Sequence, residues 1–235
     1  MNLDRIFLSE SHPCGKELHY VQHALEAKAI TSGGNVVCDF EEDLECYLGN
    51  NVIVNATNSG TSAIHLGLLL LGVQPGDEVI CQSMTFSASV NPILYIGASP
   101  IFVDSELDTW NMCPIALEEA IQDRISKGKK PKCIIVVDLY GMPYYADRIN
   151  EVANKYGIAV LEDSAEALGS RYKGVPCGTL GAIGVFSFNG NKIITTSSGG
   201  ALLLSDASQK ERAAFLATQA RDAAPYYQHS EIGYN

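Results

Sequence analysis

The sequence has 235 residues, of which 46% are hydrophobic and 18% are charged, a composition typical of a globular protein that can bury a substantial core. The formal net charge of -11 repels polyanions, so nucleic acid is excluded as an expected partner. None of the seven cysteines forms a Cys-x-x-Cys pair, and we interpret them as buried, reduced thiols of a cytoplasmic protein. The first residues contain no apolar signal core and no run has the length of a membrane span, so no membrane association is expected.

Short apolar runs alternate with helical stretches along the chain. The predicted elements, in chain order, are strand 52–54, helix 61–71, strand 78–81, helix 87–97, strand 100–103, a helix that Pro114 opens and Gly128 ends, strand 133–137, helix 144–156, strand 158–161, strands 184–188 and 200–204, and helix 206–222. This alternation favours βαβ units and therefore an α/β fold with a mostly parallel sheet. Ligands of such sheets bind beyond the carboxyl ends of the strands, so residues that follow strands are the candidates for a site.

The first candidate is the sequence Asn-Ser-Gly-Thr-Ser at 58–62, which follows a predicted strand and opens a predicted helix. The free N–H groups at a helix start, together with nearby hydroxyls, can bind a phosphate group. The alternative is an ordinary N-cap by Ser59 or Thr61, and this motif alone favours that alternative.

The second candidate is Asp163, in the sequence Glu-Asp-Ser-Ala-Glu at 162–166 directly after an apolar strand. A carboxylate there is suited to pair with the protonated ring nitrogen of a pyridine cofactor, which makes the ring a better electron sink. A solvated turn carboxylate is the alternative that these residues leave open.

The third candidate is Lys192, in the sequence Phe-Ser-Phe-Asn-Gly-Asn-Lys at 186–192, which leaves a strand and enters a turn. A lysine amine in a partly desolvated site can attack a carbonyl carbon. Ser187 in the same stretch can add a phosphate contact. Taken alone, a lysine is more often a solvated surface charge.

The fourth candidate is Phe86, in the sequence Ser-Met-Thr-Phe at 83–86 after a predicted strand. An aromatic side chain there can stack on a flat cofactor ring, although a phenylalanine is more often part of the core.

Three other motifs are excluded. The glycines at 178–184 have the wrong spacing for a dinucleotide fingerprint, and Lys192 lacks the preceding glycine that a P-loop requires. His19 and His23 lie one helical turn apart, but no third ligand follows them, so no metal site is predicted.

Five motifs together indicate a family resemblance. They are Asn-Ser-Gly-Thr (58–61), Ser-Met-Thr-Phe (83–86), Asp-Leu-Tyr-Gly (138–141), Glu-Asp-Ser-Ala-Glu-Ala-Leu-Gly-Ser (162–170) and Phe-Ser-Phe-Asn-Gly-Asn-Lys (186–192). In this order and spacing, the chain resembles the DegT/DnrJ/EryC1/StrS aminotransferases, which use pyridoxal 5'-phosphate (PLP) on nucleotide-linked keto-sugars. The resemblance runs from about Ile6 to Asn235. It implies the large domain of a fold type I PLP-dependent transferase, with helices on both faces of a mostly parallel sheet.

The resemblance implies a role for each matching residue around the cofactor ring. Lys192 would form the Schiff base and shuttle the proton between the amino donor and the cofactor, while Asp163 would pair with the pyridine nitrogen. Phe86 would stack on the ring. Glu166 stands where relatives often have glutamine or histidine near the ring hydroxyl.

The resemblance also implies the residues around the cofactor phosphate. Gly60, Thr61 and Ser187 would bind this group within one subunit. Asn235 matches an asparagine that reaches the phosphate of the neighbouring subunit. A homodimer with a shared active site is therefore expected.

Two stretches, 189–196 and 217–221, are most similar to the enzymes that aminate UDP-4-keto-6-deoxy-N-acetylglucosamine on the way to bacillosamine. This similarity implies a nucleotide-linked 4-keto-6-deoxy sugar as the acceptor and glutamate as the donor. Relatives continue past the position of Asn235 into a smaller domain. Residues 1–235 are therefore expected to form an N-terminal segment and the PLP-binding large domain, without the smaller C-terminal domain. Asp138 departs from many relatives, which have histidine there.

Other functions compete with the aminotransferase. The PLP-dependent sugar dehydratases share the fold but carry histidine at the lysine position, so Lys192 argues against them. A nucleotide-binding Rossmann protein fails for want of the glycine fingerprint. A truncated, non-catalytic PLP-fold module for binding or assembly is the remaining alternative, and formation of the Schiff base discriminates it from the enzyme.

Overall fold

The computed structural model describes residues 7–31, 34–49 and 52–235. The helices of these ranges are α1 Glu17–Glu26, α2 Asn35–Leu48, α3 Gly60–Leu70, α4 Asn91–Tyr95, α5 Pro114–Ser126, α6 Ala146–Tyr156 and α7 Ala207–Ala217. The strands are β1 Ile53–Thr57, β2 Glu78–Gln82, β3 Ser99–Val103, β4 Cys133–Val137, β5 Ala159–Asp163, β6 Arg171–Tyr172, β7 Val175–Pro176, β8 Ile183–Ser187 and β9 Gly200–Leu204. Among the helices described here, none is long and apolar enough to cross a membrane.

The central sheet has seven strands in the order β1-β9-β8-β5-β4-β2-β3, and β6 pairs with β7 in a separate hairpin. Neighbouring strands from β8 to β3 are parallel. Strand β9 runs antiparallel to both β1 and β8, so β1 points the same way as the parallel strands. The predicted α/β class with a mostly parallel sheet is confirmed, and six strands deliver their carboxyl ends to one edge.

Helices cover both faces of the sheet because successive strand residues point to opposite sides. On β2, Val79 and Cys81 join a cluster with α3 and α7, while Ile80 between them joins a second cluster with α5 and α6. The central residues of both clusters are buried, and each fully buried aliphatic side chain contributes about 1.5–3 kcal/mol. This two-sided packing explains why the strands read as continuous apolar runs.

Helix α2 covers the outer edge of the sheet at β1. The side chain of Glu45 accepts a hydrogen bond from the backbone N–H of Val54 at 2.8 Å, and Glu41 accepts one from Ala56 at 2.7 Å. Lys210 on α7 lies 2.9 Å from the Glu41 carboxylate and 3.6 Å from that of Glu45. Edge N–H groups that would otherwise pair with another chain are thus occupied.

Two predicted helices differ from the structure. The predicted helix 87–97 is split into a 3-10 turn, Ser87–Ser89, and the short α4, because Pro92 has no N–H to continue a helix from the preceding turn. The predicted helix 206–222 ends at Ala217, since Gln219 and Ala220 have positive φ angles of 68° and 48°.

The cysteines are free thiols, as predicted, but their burial differs. Cys81, Cys133 and Cys177 are buried. The prediction of burial is wrong for Cys14, Cys38 and Cys46, which are exposed, and Cys113 is only half-buried. Cys38 and Cys46 lie on α2 but not on the side that carries its buried leucines, and Cys14 precedes α1, a helix without buried residues.

Candidate active site

A cavity of about 490 Å³ opens at the carboxyl ends of the parallel strands. Its size is within the usual range for small-molecule sites. Seven of the eight residues that the sequence marked as site residues line it, namely Gly60, Thr61, Phe86, Asp163, Glu166, Ser187 and Lys192. Motifs up to 132 residues apart in the chain therefore meet in one place, because they follow strands that point to the same edge.

The start of α3 forms one end of the cavity. Ser59 caps this helix by accepting a hydrogen bond from the backbone N–H of Ser62 at 3.1 Å, so the N-cap alternative for this motif is realised. Gly60 and Thr61 are the first helical residues, whose N–H groups have no acceptor within the helix. A Cβ atom on Gly60 would lie 2.9 Å from the Cβ atom of Ser187, so only glycine lets the Ser187 hydroxyl come this close to the helix start. The start of α3 therefore has both an N-cap and free N–H groups that can bind an anion.

Asp163 forms the floor of the cavity at the end of β5 and is only 4% exposed. Its Oδ2 accepts a hydrogen bond from the Ser89 hydroxyl at 2.6 Å, and its Oδ1 accepts one from the Ala165 N–H at 3.2 Å. Burial raises the pKa of this carboxyl, while the Ser89 hydrogen bond, the Ala165 N–H and the Lys192 charge act in the opposite direction. Within the described chain no cation lies within ion-pair distance of Asp163. A protonated ring nitrogen in the cavity would supply the missing cation.

Lys192 enters the cavity from the turn after β8, and its side chain is only 13% exposed. The alternative of a solvated surface lysine is therefore not what the structure shows. Its Nζ lies 3.1 Å from Oε1 of Glu166, whose Oε2 accepts a hydrogen bond from the backbone N–H of Tyr140 at 2.8 Å. Glu166 thus holds the amine over the floor of the cavity.

Phe86 forms part of the cavity wall and is 71% exposed. It is not a core residue, which removes the alternative that its residue type favoured. Because the side chain is exposed towards the cavity, its ring can contact a flat ligand.

Asn235 is the one predicted site residue that does not line the cavity. Its backbone carbonyl accepts a hydrogen bond from the Asn58 side chain at 3.2 Å, and the preceding Tyr234 ring packs against His65 at a centroid distance of 4.7 Å. Asn235 therefore lies beside the start of α3 in its own chain, in contact with Asn58, the residue before the cap Ser59.

Other lining residues were not assigned from the sequence. Ser89 lies inside a segment that was predicted as helix, and Tyr140 lies inside a motif that was used only for the resemblance. Asn189 and Asn191 precede Lys192 in the same turn. The signal for Ser89 was a hydroxyl three residues after a candidate ring-stacking phenylalanine, but nothing local points it at Asp163.

A second pair of carboxyls, Asp138 and Glu162, lies buried beneath the floor. Glu162 accepts hydrogen bonds from the N–H groups of Gly178, Leu180 and Gly181 at 2.7, 2.7 and 3.1 Å. The Ser164 hydroxyl contacts Oδ2 of Asp138 at 2.5 Å and Oε1 of Glu162 at 3.2 Å. Burial and the Asp138 charge raise the pKa of Glu162 to about 8, and burial also raises the pKa of Asp138. Burial therefore disfavours the charged form of both carboxyls.

In the part of the chain that the structure describes, Asp138, Glu162 and Cys177 are the one group of three potential metal ligands. Three backbone N–H groups already bind the oxygens of Glu162, and the Ser164 hydroxyl lies between Glu162 and Asp138, so these side chains are engaged within the protein. His19 and His23 both lie on α1 and are not part of such a group.

With this geometry established, comparison with known proteins gives a clear assignment. The profile of the DegT/DnrJ/EryC1/StrS aminotransferase family matches residues 14–235. The chain belongs to this family. The resemblance read from the five motifs is thereby confirmed, and so is PLP as the cofactor of the family.

Individual relatives agree with the family. The chain is 51% identical over 231 residues to EpsN of Bacillus subtilis (strain 168), which carries the name of a pyridoxal phosphate-dependent aminotransferase; the match covers 98% of this chain and 59% of EpsN. It is 43% identical over 223 residues to GDP-perosamine synthase of Escherichia coli O157:H7, covering 94% of this chain and 59% of that protein. The chain thus spans about three fifths of the length of these relatives.

Solved structures share the fold. The PLP form of Spr1654 from Streptococcus pneumoniae, named a sugar aminotransferase, matches with a TM-score of 0.89 and 31% identity, covering 98% of this chain and 62% of that one. PseC of Helicobacter pylori, an aminotransferase involved in the biosynthesis of pseudoaminic acid, matches with a TM-score of 0.86 and 28% identity, covering 97% of this chain and 60% of that one.

Proposed function

We propose that this chain is the PLP-binding part of a sugar aminotransferase in which Lys192 carries the cofactor. One observation supports this above the others: a nearly buried lysine and a buried carboxylate without a cation share one cavity, in a chain of this family. The bound cofactor would supply an aldehyde and an electron sink for the amino donor's electrons.

The residues of the chain divide the work of binding and proton transfer. The N–H groups of Gly60 and Thr61 and the hydroxyl of Ser187 bind the phosphate group at the start of α3. Asp163 keeps a proton on the ring nitrogen, and Phe86 holds the ring from one face. Lys192 provides the amine that joins the cofactor and later moves a proton, and Glu166 orients that amine.

For the substrates, we propose glutamate as the amino donor and a nucleotide-linked 4-keto-6-deoxy sugar as the acceptor. Support comes from the likeness of 189–196 and 217–221 to the enzymes of bacillosamine synthesis. The GDP-perosamine synthases among the relatives are a second indication that a nucleotide sugar is the acceptor. A homodimer in which Asn235 reaches the partner's phosphate site is part of this proposal.

The test is to add PLP to the purified protein, record the visible spectrum and reduce with borohydride. We expect a yellow band and, after digestion, a mass increase of one reduced cofactor on the peptide that contains Lys192. Lys192→Ala should lose both, while Lys173→Ala is the matched control, because Lys173 lies outside the cavity in an exposed ion pair with Asp147.

Addition of glutamate tests the activity itself. If the protein transfers the amino group, the yellow band bleaches, and a 4-keto-6-deoxy sugar nucleotide restores it. A stable band that glutamate leaves unchanged would instead identify a non-catalytic PLP-binding module. Reduction of the cofactor onto any other lysine would refute the role of Lys192.

A further inference from the structure

Among the hydrogen bonds to the Asp163 carboxylate, the one from the Ser89 hydroxyl is the shortest. Their side chains meet at 2.6 Å, although the residues are 74 positions apart in the chain. Ser89 is only 2% exposed and Asp163 4%, so water does not screen this contact. A hydrogen bond to a buried carboxylate is stronger than one between neutral groups and favours the ionised form of the acid.

Thr85 extends this contact into a chain of two hydroxyls. Its Oγ1 lies 2.7 Å from Oγ of Ser89. A serine hydroxyl has one proton, and an ionised carboxylate has none to give, so Ser89 donates to Asp163. Thr85 must then donate to Ser89, which polarises the second hydrogen bond and strengthens it.

The same short segment also carries the ring-stacking residue. Phe86 lies between the two hydroxyl residues, and its carbonyl accepts the backbone N–H of Ser89 at 3.1 Å, closing the 3-10 turn. The segment 85–89 thus presents a ring to one side of the cavity and a hydroxyl to its floor. The position of the stacking face and the orientation of the carboxylate are coupled through one turn of backbone.

We infer that Ser89, supported by Thr85, is a positioning residue that keeps Asp163 ionised and aimed at the ring nitrogen of the cofactor. This inference rests on the proposed pairing of Asp163 with that nitrogen. The described chain offers Asp163 only one other hydrogen-bond donor, the more distant Ala165 N–H. Without the Ser89 hydroxyl, the burial of Asp163 would favour its protonated form, and the proton would move from the ring nitrogen to the carboxylate.

The test is the ¹⁵N chemical shift of the ring nitrogen in PLP labelled at that atom, together with the dissociation constant of PLP. In the unaltered protein we expect the shift of a protonated ring. Ser89→Ala should move it towards that of a neutral pyridine and weaken PLP binding about tenfold, the size expected for a hydrogen bond to a charged group. Ser89→Thr keeps the hydroxyl and should restore the protonated shift.

Two further variants keep the result decisive. Ser87→Ala, at an exposed position of the same turn, is the matched control and should change neither quantity. Thr85→Val removes the outer hydroxyl with little change of shape and should move the shift in the same direction by a smaller amount. It serves as the second readout if Ser89→Ala folds poorly.

Asp163→Asn separates this inference from the proposed function. If Asp163→Asn changes the shift but Ser89→Ala and Thr85→Val both match Ser87→Ala, the positioning role is overturned and the cofactor site stands. If Asp163→Asn also leaves the shift unchanged, the pairing of Asp163 with the ring nitrogen is wrong, and the proposed function loses one of its supports.

Discussion

Glu162 and Asp163 are adjacent on β5 and both are buried, yet they belong to two different regions. Glu162 points beneath the floor, where three backbone N–H groups bind it and the Ser164 hydroxyl and the Asp138 carboxyl lie beside it. Asp163 points into an open cavity with one hydroxyl and one distant N–H. A fully satisfied buried carboxyl is structural, whereas one that lacks a cation next to a cavity is available for a ligand.

This comparison predicts the largest effect for Asp163→Asn, and only on chemistry. The amide cannot hold a proton on the ring nitrogen, so we expect the rate of amino transfer from glutamate to fall on the order of a hundredfold. The free energy of unfolding should change by less than about 1 kcal/mol, because the amide still offers an oxygen to Ser89. Stopped-flow absorbance and urea titration measure the two quantities, and a large loss of stability with unchanged rate would reverse the comparison.

Glu162→Ala should have the opposite effects, lowering the free energy of unfolding and leaving PLP binding nearly unchanged. The change leaves the buried N–H groups of Gly178, Leu180 and Gly181 without their acceptor, so we expect a loss of about 3 kcal/mol in the free energy of unfolding. PLP binding by the remaining folded protein should stay within about threefold of the unaltered chain. Urea titration with and without PLP makes the measurement, and equal stability of the variant would remove the structural role.

The stability of the chain should depend on pH through the buried carboxyl of Glu162. Because the pKa of Glu162 is raised from 4.5 to about 8, the folded chain binds a proton that the unfolded chain has released between these values. The free energy of unfolding therefore falls as the pH rises from about 5 to 8. Urea titration from pH 5 to 8 makes the measurement. Burial also raises the pKa of Asp163, so Asp163→Asn is measured alongside to isolate the contribution of Glu162, and a stability that does not fall over this range in that variant would contradict the raised pKa of Glu162.

Asp138→Asn is expected to have the smallest effect and a stabilising one. The amide can still accept from the Tyr144 N–H and can donate to the Ser164 hydroxyl, while its negative charge beside Glu162 disappears. We expect a gain of about 1 kcal/mol at pH 8, the value of one pKa unit, and a shallower decline with pH. A variant that unfolds more easily than the unaltered chain at pH 8 would contradict the unfavourable effect of the Asp138 charge on Glu162.

The site residues that the sequence allowed us to assign lie at or after the ends of strands. Asp163, Ser187 and Lys192 were assigned because each follows or ends an apolar strand, and parallel strands bring such positions to one edge. The two faces of the sheet followed from the same apolar runs. The roles assigned to these residues stay predictions, and the experiments above test them.

The features that the sequence did not predict are contacts between residues that are distant in the chain. The Ser89 hydroxyl meets Asp163 only because Pro92 breaks the predicted helix 87–97 and lets the preceding turn face the sheet edge. The effect of the Asp138 charge on the pKa of Glu162 requires β4 and β5 to be adjacent, and neither residue alone signals it. The pairing of Glu41 and Glu45 with the N–H groups of β1 likewise depends on how α2 packs, which its own sequence does not specify.

The most direct test of the central claim is an experimental structure of the protein crystallised with PLP. We expect continuous density from Nζ of Lys192 to the cofactor, the ring nitrogen within hydrogen-bond distance of the Asp163 carboxylate, and the phosphate group at the start of α3. Density for PLP joined to a different lysine, or a ring nitrogen that faces away from Asp163, would contradict it.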